Sequence, residues 1–186
     1  METEKPDRRV QLPGATAPGR PLSRGGDDAG PASPPRVDSV AFARQGEECQ
    51  GRLPMAALPR LLSAGVAPEG TLQWSVHGSS GRDEMQRHRE FLSVSTRFSP
   101  WMTCSKCLEP VQVHELESAT RFRLAASENQ ATQEDKETYS VEVIAADPNL
   151  DLSDLIEDEA ILALPMAPGH ADCRLKGAGS APGTDV

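Results

Sequence analysis

Hydrophobic and polar positions follow different rules in different parts of the chain. Val37, Ser39, Ala41 and Ala43 alternate with Asp38, Val40 and Phe42, a weak period of two that predicts a strand over residues 37–43. Met55, Leu58, Leu61 and Leu62 fall at helical spacing and Gly65 supplies a stop, so a helix is expected from about Ala56, with Pro59 in its first turn. Leu72, Trp74 and Val76 alternate with Gln73, Ser75 and His77, a strand with one buried face, after which Gly78-Ser79-Ser80-Gly81 is expected to turn the chain. Leu92, Val94, Thr96 and Phe98 repeat the alternation, and the extended run is expected to continue through Trp101 to Cys104. Val111 and Val113 resume it, and Phe122 and Leu124 carry it toward Ala126. These runs predict a meander of antiparallel strands.

Residues 126–137 are rich in Gln, Glu, Ser and Thr without apolar periodicity, and predict a mobile loop. One more strand is expected over 139–145. Asp151 then caps a helix whose Leu152, Leu155, Ile156, Ala160 and Ala163 share a face. On that reading Asp154, Glu157 and Asp158 stay wet or meet a partner, and Pro165 ends the helix. The predicted fold class is α+β: an antiparallel meander with two principal helices.

Composition changes the picture at the ends. Residues 1–36 carry seven prolines and five glycines, and residues 1–41 hold none of the seven aromatics. Such a segment cannot bury enough apolar surface to offset its ordering entropy. The expected organisation is a disordered Pro/Gly-rich arm over 1–36, a single domain over 37–173, and a flexible tail over 174–186. The middle segment, 137 residues, is long enough to bury a core without disulfides. No apolar leader or membrane-length run is found, and the expected location is the cytoplasm.

Charge narrows the function classes. The chain carries a net −9, and residues 104–165 hold 14 acids against Lys106, Arg121, Arg123 and Lys136. A direct, nonspecific grip on phosphates by that half is disfavoured. Enzyme motifs are missing: there is no P-loop, no G-x-G-x-x-G and no G-x-S-x-G. His77, His88 and His114 are scattered, with no nucleophile or paired carboxylate at a matching position.

The chemistry-bearing signal is Cys104-Ser105-Lys106-Cys107 together with His170-Ala171-Asp172-Cys173, two pairs of x2 spacing separated by 62 residues. Two short-spaced pairs on separate turns can bring three thiolates and one imidazole into a tetrahedron around one structural zinc. Four protein ligands leave no open position for hydrolysis. Inert thiols and a redox dithiol remain the alternatives, although the C-x-x-C lies on a strand-to-strand connection and does not open a helix in a βαβ unit. Cys49 has no near partner and reads as a structural thiol.

The runs Thr103-Cys-Ser-Lys-Cys-Leu-Glu-Pro-Val111, Asp151-Leu-Ser-Asp-Leu-Ile-Glu-Asp-Glu-Ala-Ile-Leu-Ala-Leu-Pro165 and Pro168-Gly-His-Ala-Asp-Cys173 resemble the YceD family of bacterial and plastid proteins. The resemblance is specific in order and spacing from Cys104 to Cys173. It is looser from Phe42 to Phe98, where Gly46 to Leu62, with Leu58-Pro59-Arg60-Leu61, matches best. It implies support of synthesis, processing or stability of 23S ribosomal RNA, thus ribosome biogenesis, with no enzymatic activity. The acidic balance then fits an adaptor that meets a basic ribosomal protein or RNA-processing factor through Asp154, Glu157 and Asp158, with contact to the large-subunit RNA indirect and no membrane partner. Two other classes stay open: a thiol redox protein using Cys104 and Cys107, and a direct RNA-binding module. The latter needs Arg44, Arg52, Arg60, Arg82, Arg87, Arg89 and Arg97 on one face.

Overall fold

A computed structural model describes residues 33–137, 141–171 and 173. The expected arm, apart from residues 33–36, and the expected tail lie outside the described residues, as does Tyr139. Among the described residues nine strands and four α-helices follow in the order β1 (Arg36–Val37), α1 (Ser39–Gln45), β2 (Glu48–Pro54), α2 (Pro59–Ser63), β3 (Thr71–Arg82), β4 (His88–Phe98), β5 (Trp101–Thr103), β6 (Pro110–Gln112), β7 (Leu116–Ala125), α3 (Glu128–Glu137), β8 (Glu142–Ala145), β9 (Leu150–Asp151) and α4 (Leu152–Leu162). A single 3-10 turn, Met55–Ala57, precedes α2. The architecture is mixed α+β, as the alternating strand runs indicate.

Five strands form the main sheet in the order β2-β3-β4-β7-β8, and two short ribbons, β1-β9 and β5-β6, flank it. All main-sheet pairings are antiparallel except the last: β8 runs parallel to β7, reached through α3. Leu72, Trp74 and Val76 of β3, Leu92, Val94 and Phe98 of β4, and Phe122 and Leu124 of β7 line one face. Against them pack Phe42 and Ala43 of α1 and Leu152, Ile156 and Ala160 of α4. The last three recur every four residues, so one stripe of α4 is fully buried. Burial of each large apolar side chain there contributes about 1.5–3 kcal/mol.

Several local expectations are overturned, each for a nameable reason. Residues 37–43 are not a strand. Asp38 accepts from the N–H groups of Val40 and Ala41, which starts α1, and Gly46 ends it at φ 64°, donating to Ala43 O while Glu47 donates to Phe42 O. The glycines at 78–81 do not turn the chain, because β3 runs straight through them to Arg82. Gly78 serves close approach: a Cβ there would lie 2.5 Å from Phe42 O and 2.8 Å from Ala43 Cα, both backbone atoms of α1. The extended run after Phe98 breaks at Pro100, and β5 starts a separate ribbon. Residues 128–137 are helical, not a loop. Ser127 O accepts from Ala131 N at 2.8 Å and Ser127 Oγ from Gln130 N at 3.3 Å, while Ala131 packs with Ala125 and Val143. The helical contribution comes from small and charged residues, which leave no large apolar stripe.

The turn from β3 to β4 is organised by Asp83. Its Oδ1 accepts from Met85 N (2.9 Å) and Arg87 N (2.8 Å), and its Oδ2 pairs with Arg87 Nε (2.9 Å) and Arg89 Nε (3.4 Å). Arg89 and Arg123 also reach Glu134 of α3, so the network pins α3 to the sheet face opposite α1 and α4. Burial alone would raise the Asp83 carboxyl, but the Arg87 N–H and the guanidinium groups of Arg87 and Arg89 outweigh it and hold it at about 2. A carboxylate held below its ordinary 3.8 contributes stability that is complete above about pH 4 and is lost as the pH falls through about 2. Urea unfolding across pH 2–5 should therefore show falling stability on acidification. Asp83→Asn should flatten that fall, and an unchanged profile would overturn the assignment.

Candidate metal centre and acidic helix face

The β5-β6 ribbon pairs Thr103 with Pro110, so the six residues between them form a tight loop at its end. Cys104 N–H donates to Glu109 O at 2.9 Å and Leu108 N–H to Cys104 O at 3.0 Å, with Leu108 at φ 63°. This loop turns both Cys104 and Cys107 to one side. The segment leaving α4 docks against it: Ser105 N–H donates to Pro168 O at 2.8 Å, which brings His170 and Cys173 beside the loop.

The two sequence pairs thus meet. Ligand atoms of Cys104, Cys107, His170 and Cys173 all lie within 4.8 Å of one another, a group that could hold a metal ion. Cys104 Sγ is 3.6 Å from Cys173 Sγ, and Cys107 Sγ is 3.6 Å from His170 Nδ1. A zinc with Zn–S near ~2.3 Å in a tetrahedron spaces its sulfurs about 3.8 Å apart, so the donors already stand near coordination distance. The sulfurs are too far apart for a disulfide, and all four cysteines are free thiols. His170 Nε2 lies 3.1 Å from Pro110 O. A carbonyl can only accept, so Nε2 carries the proton and Nδ1 is left as the lone-pair donor aimed at the cluster.

The electrostatics suit a cation. N–H groups of Cys107 and Lys106 point at Cys104 Sγ and draw that thiol down to about 5, against the effect of its burial. Cys173 is pushed up to about 11, first by burial and then by hydrogen bonds and charge from Cys107 and Cys104. Cys49 belongs to a different setting: half-buried on β2 against the core, its thiol is raised to about 11 by burial and by Glu47 and Glu48.

The acidic helix face is organised differently from the expectation. Asp154 and Asp158 are exposed, with side chains 75% and 54% accessible, but Glu157 is buried. Glu157 Oε1 accepts from the backbone N–H groups of Arg60 (2.7 Å) and Leu61 (2.9 Å), and Oε2 pairs with Arg60 Nε (3.0 Å). Arg60 also reaches Asp158 Oδ1 at 2.5 Å and the Asp154 carbonyl at 2.8 Å. Glu157 therefore caps α2 from another helix. Sequence reasoning missed this, yet a signal existed: Leu58-Pro59 opens α2 with no side chain able to cap its N–H groups.

Of the arginines weighed for direct RNA contact, Arg52, Arg89 and Arg97 share one face of the main sheet, whereas Arg44 and Arg60 lie on helices. Arg44 pairs with Glu90, Arg60 with the acids of α4, Arg87 and Arg89 with Asp83, and Arg97 with Glu117 at 2.6 Å. Arg82 donates to Gln86 O, and Arg52 is exposed on β2. His77, His88 and His114 are exposed at separate places.

A family model for the large ribosomal RNA subunit accumulation protein YceD matches residues 92–185, from inside β4 through the ribbon, α4 and both ligand pairs. The chain belongs to the YceD family. That membership implies a role in accumulation of the large ribosomal RNA, and the family is named for this role and not for an enzymatic activity. No curated protein and no solved structure matches the chain. Among the described residues, no helix is long and apolar enough to cross a membrane. The YceD match contains all four clustered ligands as well as Asp154, Glu157 and Asp158, whereas Arg60, which binds those acids, lies outside it.

Proposed function

We propose that this YceD-family chain supports 23S ribosomal RNA accumulation without catalysis, as a cytoplasmic acidic adaptor that binds a basic ribosomal protein or RNA-processing factor. The observation that carries this reading is the internal consumption of cations: Arg44, Arg60, Arg87, Arg89 and Arg97 each face a carboxylate of the same chain. Asp154 and Asp158 stay exposed on α4, in a chain of net charge −9. Asp154 and Asp158 form the contact, while Glu157 supports them by holding Arg60 and α2 in place. Residues 37–173 act as one domain, closed at its C-terminal end by one structural zinc on Cys104, Cys107, His170 and Cys173. The zinc would cross-link the β5-β6 ribbon to the end of α4, and with four protein ligands it has no open position for substrate.

The test is affinity purification on the full chain at moderate salt, with and without ribonuclease. The expected result is a basic protein that survives ribonuclease and is recovered several-fold less by an Asp154→Lys/Asp158→Lys variant. Recovery of ribosomal RNA fragments with no protein partner would overturn the adaptor reading in favour of direct RNA binding, which a steep loss of affinity with salt would then characterise.

A further inference from the structure

Among the described residues β8 is the last strand of the main sheet, and its outer side borders a cleft of about 710 Å3. Val143, Ile144 and Ala145 of β8 form one wall, and the starts of α3 and α4 form the others. Ile144 is in register with Leu124, and Ala146 N–H donates to Ala125 O at 2.7 Å, so alternate residues from Ile144 bond inward to β7. The alternation of a parallel pair then turns the N–H and C=O of Val143 and Ala145 away from β7, toward the cleft. Such an edge is a template for another strand.

The charges around the edge say what kind of strand. Glu128, Asp147, Asp151, Asp154 and Asp158 line the cleft with Arg36 as the single cation among its lining residues. Arg36 is already engaged by Asp151 at 2.7 Å. A second copy of the chain would bring the same carboxylates face to face, which disfavours pairing of β8 with itself. A segment with alternating basic residues would meet both the outward backbone groups and the carboxylates that line the cleft.

We propose that the open edge of β8 is a docking strand for a lysine- or arginine-rich extended segment of a partner protein, which adds to the main sheet inside the acidic cleft. The inference rests on the adaptor reading and specifies how that adaptor grips its partner. Main-chain hydrogen bonds to Val143 and Ala145 supply affinity, and Glu128, Asp154 and Asp158 supply the selection for positive charge.

Two measurements on the full chain test it. A fluorescent decapeptide of alternating lysine and valine should bind saturably and protect the Val143 and Ala145 amides from hydrogen exchange, while its glutamate/valine counterpart should not bind. Ala145→Pro removes an outward N–H and no bond to β7, as edge strands tolerate, and should weaken the basic peptide at least ten-fold. A Glu128→Lys/Asp154→Lys variant, which leaves the edge backbone intact, should also weaken it about ten-fold and flatten its salt dependence, so the test stands even if the proline variant misfolds. Failure of the basic peptide to bind, equal binding to the folded proline variant, or a chain dimer dissolved by that variant would each overturn the proposal. A basic partner still captured equally by Ala145→Pro would sink the edge inference and spare the adaptor, whereas no basic partner on the parent chain would sink the adaptor itself.

Discussion

Cys104→Ser is expected to purify without the single equivalent of zinc expected of the parent chain and to melt well below it. Cys104 is fully buried at the base of the cluster, and its sulfur receives the N–H groups of Cys107 and Lys106. Serine keeps the size but offers a hydroxyl that does not ionise at neutral pH, so the charge balance of the site is broken. A ligand present at a thousand times its dissociation constant stabilises the folded state by about 4 kcal/mol. For a domain of this size that corresponds to a melting point on the order of 10 °C lower. A strong chelator should reproduce the shift in the parent and leave the variant unmoved. Elemental analysis with differential scanning calorimetry checks both halves, and a parent chain that purifies metal-free from zinc-replete cells would overturn the assignment.

Gly78→Ala is expected to be the most damaging glycine-to-alanine change among the described residues. The new Cβ would lie 2.5 Å from Phe42 O and 2.8 Å from Ala43 Cα, and neither can rotate away because both are backbone. Relief requires lifting α1 off the sheet, which would uncover Phe42 and Ala43 from the core. A loss of about 3 kcal/mol or more is expected from overpacking against backbone. Gly81→Ala, three residues along the same strand, is the control: its nearest neighbour would be the Phe91 ring at 3.9 Å, an ordinary contact. It should change stability by less than about 0.5 kcal/mol. Urea unfolding of the two variants decides the matter, and equal stability would show that α1 yields more easily than its contacts indicate.

The main strands were legible because they bury one face: Leu72, Trp74 and Val76 and then Leu92, Val94 and Phe98 alternate with residues on the wetter face. The clustered ligands were legible because x2 spacing on a tight loop constrains where two side chains can point. Elements without an apolar signature were not. Ala131 and Glu134 hold α3 through a methyl packed on Ala125 and Val143 and a carboxylate on Arg89 and Arg123, and neither contact writes an apolar period into the sequence. Glycine misled because the same residue type serves turns and close approach, and only the position of α1 over Gly78 separates the two. Glu157 misled for a related reason. Its charge suggested water, whereas the N–H groups that bind it belong to a helix 96 residues earlier.

The meeting of the chain's early and late segments also sets the order of events during synthesis. Ser39 and Asp147, 108 residues apart, exchange hydrogen bonds beside the β1-β9 pair, and the Arg60–Glu157 contact spans 97 residues. A nascent chain that has exposed only β2, β3 and β4 can form that antiparallel set, but Leu72, Trp74 and Leu92 have no α4 to cover them. Closure must wait until α4 has left the ribosome, a topology of long-range contacts that folds slowly and keeps apolar surface open meanwhile. The stretch from Glu157 onward is thus a timing element as much as a structural one, and truncations that stop before it leave an uncovered sheet to the mercy of chaperones and proteases.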